Sequence, residues 1–176
     1  LKMIAENYEE YLHVWEGEPR REAGNHLIGR EEVYRAMEAK VEVSVYSAPL
    51  LLGVDVARFG DDKTAVCFRR GRQVFDLKTF QKLDVVQVAH LVAGMIAEYQ
   101  PAKVCVDVGG LGAGVYDVLV SEGFGEVVLA VNFGEKAENP ERYVNRRAEM
   151  WARVAEWLKS AAPVSLPKVE GLVEDL

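Results

Sequence analysis

Two acidic side chains stand where catalytic chemistry could be done. Asp55 lies near the end of the apolar run Leu50-Leu51-Leu52-Gly53-Val54-Asp55-Val56, and Asp107 holds the same place in Val104-Cys105-Val106-Asp107-Val108. An unpartnered carboxylate inside an apolar strand costs several kcal/mol, so each acid calls for a metal ion, a basic side chain or a set of backbone N–H groups. Two carboxylates at neighbouring strand ends repel one another unless a hard divalent cation lies between them. Mg²⁺ takes oxygen ligands of this kind and leaves positions for substrate phosphate. Such a pair suits phosphodiester hydrolysis at a two-metal site, with ions about 4 Å apart. The competing structural reading has Asp55 and Asp107 capping turns or pairing with Lys63 and Arg58.

The two acids can meet only if their strands are neighbours. Residues 84–99 carry Val85, Val88, Ala89, Val92, Met95, Ile96 and Tyr99 at helical spacing and end before Pro101, a helix of the length a crossover connection needs. Between the first acid and that helix, Thr64 to Arg69 and Gln73 to Phe80 read as strands around the hairpin signal Arg70-Gly71-Arg72. Beyond Asp107, the glycine-rich stretch Gly109 to Gly114 leads into a helix through about Ser121. A fifth strand follows at Val127 to Val131, and then a long helix over 140–160 carrying Val144, Met150, Trp151, Val154, Trp157 and Leu158. The order β-β-β-α-β-α-β-α is that of an α/β protein with a mixed sheet and helices on both faces. Upstream, Ile4, Tyr8, Tyr11, Leu12 and Trp15 form one apolar stripe over a helical segment 1–22, and a short helix runs from Glu31 to Met37. Residues 1–48 thus read as a lead-in segment and 49–176 as the core domain.

At 176 residues the chain holds one domain, and its 49% hydrophobic and 28% charged composition excludes disordered and fibrous classes. The absence of a long apolar run or a basic-then-apolar leader points to a soluble, intracellular protein. Cys67 and Cys105, each within an apolar strand, read as small buried hydrophobes rather than a disulfide or metal frame. The net charge of −7 argues against gripping nucleic acid by bulk electrostatics, so any polyanion contact must be local. Arg69, Arg70 and Arg72 at the hairpin tip, set beside the acids, could track phosphates; like Arg142, Arg146, Arg147 and Arg153 on the last helix, they could equally form a solvated face. His13, His26 and His90 lack ligand spacing, and Trp151 and Trp157 read as core. The Gly109–Gly114 stretch lacks the third glycine of a dinucleotide loop and suits either a plain turn or close approach of a nucleic-acid backbone; no Gly-Lys-Ser/Thr phosphate loop is present.

The string from Gly53 through Asp55 to Gly60-Asp61-Asp62-Lys63-Thr64-Ala65, followed by Val106-Asp107-Val108-Gly109-Gly110-Leu111-Gly112-Ala113-Gly114, resembles the nuclease domain of tailed-bacteriophage large terminase subunits. Tyr11-Leu12-His13-Val14-Trp15-Glu16-Gly17-Glu18 resembles the segment leading from the ATPase domain in that family, and Asn145-Arg146-Arg147-Ala148-Glu149-Met150-Trp151 resembles the helix after its fifth strand. The resemblance implies a ribonuclease-H-like fold and an endonuclease dependent on Mg²⁺ or Mn²⁺ that cuts concatemeric viral DNA during genome packaging in the host cytoplasm. It implies Asp55 as the metal-bridging carboxylate, Asp107 as the second ligand, and Asp62 as an accessory acid in competition with Asp61. The third core carboxylate of the family follows a hairpin expected beyond Leu176, so 49–176 would be a truncated nuclease domain; Asp175 is assigned no role. Implied partners are double-stranded DNA, the ATPase domain of the same parent chain, the portal and the small terminase subunit. Gly53-Val54-Asp55-Val56 also resembles the first phosphate turn of actin-like and sugar-kinase ATPases, and a non-catalytic docking module of the same fold is a third reading.

Overall fold

The computed structural model describes residues 27–41, 47–57, 62–169 and 171–172. The expected helix over 1–22, most of the Val41–Ser47 stretch, Arg58, Asp61 and Asp175 lie outside the described residues. Within them the elements run α1 (Arg30–Glu38), β1 (Leu50–Asp55), β2 (Thr64–Arg70), β3 (Gln73–Phe80), α2 (Val85–Tyr99), β4 (Lys103–Asp107), α3 (Gly112–Leu119), β5 (Val128–Val131) and α4 (Arg146–Lys159). The five strands make one sheet in the order β3-β2-β1-β4-β5. β1 to β3 are antiparallel neighbours, whereas β1 pairs β4, and β4 pairs β5, in parallel. The chain therefore has the mixed α/β sheet expected, with α2 as the crossover that carries it from one edge back to the centre.

Strand alternation separates the two faces of the sheet. Leu50, Leu52, Val54, Val66, Phe68, Val104, Val106 and Val128 are buried and pack against Val88, Ala89, Val92, Met95 and Ile96 of α2 and Val115 and Leu119 of α3. Asp84 opens α2 with a reciprocal cap, its Oδ1 accepting from the Gln87 N–H at 2.8 Å while the Asp84 N–H donates to Gln87 Oε1 at 2.9 Å. Gln100 closes the helix in the left-handed conformation just before Pro101. On the opposite face the covering is thinner. There α4 packs with α1 in a second, smaller core of Ile28, Val33, Ala36, Ala155, Leu158 and Val164. The segment read as a lead-in thus supplies three side chains to that core.

Two expectations about α4 need correction. The helix starts at Arg146 rather than near residue 140, because the Asn145 side chain caps it by accepting from the Ala148 N–H at 2.8 Å. Val144 consequently precedes the helix and is 90% exposed, and Trp151, read as core, is 41% exposed; Trp157 does pack against the second core. The cysteines are half-buried on the thinly covered face rather than fully buried, although burial still raises both thiols.

The glycine stretch after β4 is explained by close packing. A Cβ on Gly112 would collide with the Asp107 carbonyl oxygen, and one on Gly114 would lie 2.9 Å from Val85 Cγ1, so these glycines let α3 start against the end of β4 and touch α2. Gly110 faces open space. In urea unfolding, Gly112→Ala is expected to lose roughly 3 kcal/mol, because rigid backbone must move, whereas Gly110→Ala should stay within about 0.5 kcal/mol of wild type.

Candidate functional site

The positions of Asp55 and Asp107 follow from register. Parallel pairing aligns Val54 with Val106, so the next residue on each strand, an aspartate in both cases, stands at the carboxyl end of its strand beside the other. Neighbouring strands lie about 4.8 Å apart. Val54 and Val106 point into the main core, and alternation turns Asp55 and Asp107 to the opposite, thinly covered face. Both acids line a cleft of ≈ 260 Å³ with Gly53, Ala65, Cys67 and Cys105 on its floor and Val131, Phe133 and Met150 along its wall.

Asp55 is exposed at the end of its strand rather than buried within it, which corrects the sequence expectation. The cleft nonetheless strips enough water from it that desolvation, followed by the charge of Asp107, raises its carboxyl above the ordinary value. Asp107 Oδ1 accepts from the Gly109 N–H at 2.9 Å, so part of the turn-capping reading holds for this acid. Among the described residues no basic side chain forms an ion pair with either acid, Lys63 included. Two crowded oxygen donors with no basic partner suit a hard divalent cation.

The other residues singled out by sequence do not join them. Asp62 is exposed and lies in the β1–β2 connection, two residues before β2 begins. No group of three His, Cys, Asp or Glu side chains that could hold a metal ion occurs among the described residues, so two acids converge here and not three. The arginines of the hairpin are at the wrong end of the sheet to stand beside the acids. Arg70 pairs with Leu50 while Ala65 pairs with Asp55, a separation of five residues along β2, about 17 Å. Arg72 is also committed to its own fold: it donates to the carbonyls of Trp157 (2.9 Å), Ala162 (2.8 Å) and Pro163 (3.1 Å) and to Ser160 Oγ. Arg69 and Arg72 both lie over the Trp157 ring, and Arg70 donates to the Ala48 carbonyl at 2.9 Å.

Sequence reasoning missed the wall of the cleft. Phe133 and Met150 reach it because the connection from β5 is strapped to the start of α4. The Arg147 N–H donates to the Phe133 carbonyl at 3.2 Å and the Arg146 N–H to that of Glu135 at 2.8 Å. Glu149, almost fully buried, accepts from the Glu138 N–H at 2.6 Å and from Arg153 Nη2 at 2.7 Å, and Glu138 bridges Arg146 and Arg153. These two arginines also hold the Glu138 carboxyl below its ordinary value through hydrogen bonds and charge. The i, i+4 spacing of Glu149 and Arg153 was a visible signal for half of this network; the loop partner Glu138 has no signature in sequence.

An open face on a β3-β2-β1-β4-β5 sheet, with paired aspartates at the ends of its two central parallel strands, defines a ribonuclease-H-like α/β domain. Solved structures agree. The chain is similar to the nuclease domain of the large terminase subunit gp2 of bacterial virus Sf6, with a TM-score of 0.65 and 18% identity over 84% of this chain and 77% of that one. A point mutant of that Sf6 subunit with calcium gives 0.65 and 19% identity over 84% and 78%. A mutant of the nuclease domain with manganese gives 0.63 and 17% identity over 84% and 77%. No sequence-family model matches the chain, and no curated protein sequence matches it significantly. The fold is thus that of a terminase nuclease domain, and among the described residues no helix is long and apolar enough to cross a membrane.

Two expected outcomes follow from this geometry. Because the folded-state Asp55 carboxyl is raised, its protonated form contributes stability that is fully present below the ordinary value of 3.8 and is lost as pH rises through the raised one. Asp55→Asn should therefore melt slightly above wild type at pH 7 in EDTA, with the difference closing below pH about 4; a melting series against pH checks it. Arg72→Ala should cost roughly 1 to 2 kcal/mol in urea unfolding, because it leaves several carbonyls without a charged donor.

Proposed function

We propose that this chain is the nuclease domain of a viral DNA-packaging terminase, a metal-dependent endodeoxyribonuclease that cuts concatemeric genomes. The observation that carries the reading is the pair Asp55 and Asp107, placed side by side at the ends of two parallel strands without a basic partner among the described residues. The fold shared with the Sf6 nuclease domain, whose solved forms include one with calcium and one with manganese, supports it.

Asp55 and Asp107 would hold Mg²⁺ or Mn²⁺; Asp62 stands apart from the pair in this structure, so it or Asp61 would serve as the accessory acid only if the β1–β2 connection moved toward the bound ion. Bound there, such ions supply an activated water and charge stabilisation at the leaving oxygen of a phosphodiester. The chain's own residues do the positioning. The Gly109 N–H, bonded to Asp107 Oδ1, fixes one oxygen of that carboxylate. The rigid sheet sets the separation of the two acids, and their repulsion in the free protein favours cation capture. Gly53, between Leu52 and Val54 on the floor, leaves room for substrate. Specificity would be for phosphates rather than base edges, since among the described residues no arginine, asparagine or glutamine lines the cleft. Double-stranded DNA, an ATPase domain in the same parent chain, the portal and the small terminase subunit are the corresponding partners, in the host cytoplasm.

The test is Mn²⁺-dependent nicking of supercoiled plasmid, run alongside calorimetric Mn²⁺ titration. The chain should bind Mn²⁺, and its parent chain should nick DNA. Asp55→Asn and Asp107→Asn should each lower nicking by at least about 100-fold, the scale of removing a group that acts only in the transition state, and should weaken Mn²⁺ binding. Mn²⁺ binding unaffected by either substitution would remove the basis of the reading.

A further inference from the structure

The cleft is acidic and the chain carries a net charge of −7, so a polyanionic substrate needs a cation placed at this cleft. The hairpin arginines are about 17 Å from it along β2. Among the described residues four further arginines lie on α4, whose Met150 lines the cleft, or on its approach, and three are neutralised. Arg142 pairs with Glu156 at 2.7 Å, Arg146 with Glu138 at 2.5 Å, and Arg153 with Glu138 at 2.6 Å and Glu149 at 2.7 Å. Arg147 enters no ion pair among the described residues. Its side chain is exposed, and its guanidinium carbon lies 5.7 Å from the centroid of the Phe133 ring. Its own N–H is tied to the Phe133 carbonyl at 3.2 Å. Phe133 lines the cleft that holds Asp55 and Asp107. An aromatic face orients a guanidinium while leaving its charge and its in-plane donors available, which a carboxylate partner would not do.

We infer that Arg147, stacked on the cleft-lining Phe133, binds a backbone phosphate of the polynucleotide that lies across the Asp55–Asp107 cleft. This rests on the nuclease reading and names the residue by which the site holds its substrate. The planar fork suits two oxygens of one phosphate. Among the described arginines of α4 and its approach the role falls to this one stacked side chain, because Arg142, Arg146 and Arg153 are paired with Glu138, Glu149 and Glu156.

The experiment measures binding of a fluorescently labelled DNA duplex to the full chain, in Ca²⁺ and over a range of salt concentrations, for wild type, Arg147→Ala, Arg147→Lys and Arg142→Ala, with melting curves to confirm folding. Arg147→Ala should bind roughly two- to fivefold more weakly, the scale of one exposed charge contact. The slope of log affinity against log salt should fall by about 0.9, the loss of one phosphate contact. Arg147→Lys should restore the slope but not the full affinity, and Arg142→Ala should match wild type. If Arg147→Ala keeps the wild-type affinity and slope, the assignment is overturned while the nuclease reading stands. A wild-type chain that binds no duplex, or that releases it to equimolar mononucleotide, overturns both.

Discussion

Parallel pairing of β1 with β4 is the constraint on which the rest of this structure depends. It aligns Val54 with Val106 and so brings two aspartates, separated by 52 positions in the chain, to adjacent strand ends. Alternation then makes the valines part of the main core and turns the acids to the other face. A one-residue slip in either strand would bury one acid among Val88, Val92 and their neighbours, at a cost of several kcal/mol for an unpaired charge. The apolar side chains that hold the sheet to α2 and α3 therefore also hold the acids in place, and electrostatic strain between the acids is tolerated because packing on the far face enforces it.

The thinly covered face depends on a different kind of interaction. Its helix, α4, meets α1 through a small apolar core, and its start is joined to the β5 connection by Glu138, Arg146, Glu149 and Arg153. Glu149 is one of two buried polar or charged side chains among the described residues, the other being Thr64, and each of its oxygens accepts a hydrogen bond. Such a cluster fixes one geometry, since a misplaced partner would leave a buried charge uncompensated. That geometry keeps Phe133 and Met150 on the wall of the cleft that the acids also line. At the opposite corner Arg72 plays the comparable part for the hairpin, joining it to the segment after α4, where Gln73 and Ser165 form a bridge.

Charge is thus distributed by use. Arginines that looked interchangeable on the sequence are divided between structural ties and one stacked side chain at the cleft. On the proposed reading, a negatively charged domain with a localised cationic contact would hold DNA weakly by itself, and a motor that raises the local DNA concentration would compensate through effective concentration.

Much of this was legible in the amino-acid sequence, because local periodicity carries it. The order of elements, the hairpin at Gly71, the crossover helix 85–99 and the choice of Asp55 and Asp107 follow from apolar alternation, helical spacing and the oddity of an acid in an apolar strand. The start of α4 was misread, since Val144 and Trp151 matched a helical stripe that the Asn145 cap interrupts. What only the tertiary structure decided is distance across the sheet and the partner of each charge. Sequence placed the hairpin arginines beside the acids, yet antiparallel pairing sends the chain away from Asp55 for the length of β2 before the hairpin turns. Likewise nothing local sets Arg147 apart from its neighbour Arg146, because their difference lies in which side chain of the β5 connection each one meets. Periodicity reports which way a side chain faces, whereas its partners are set by long-range packing that brings distant segments together.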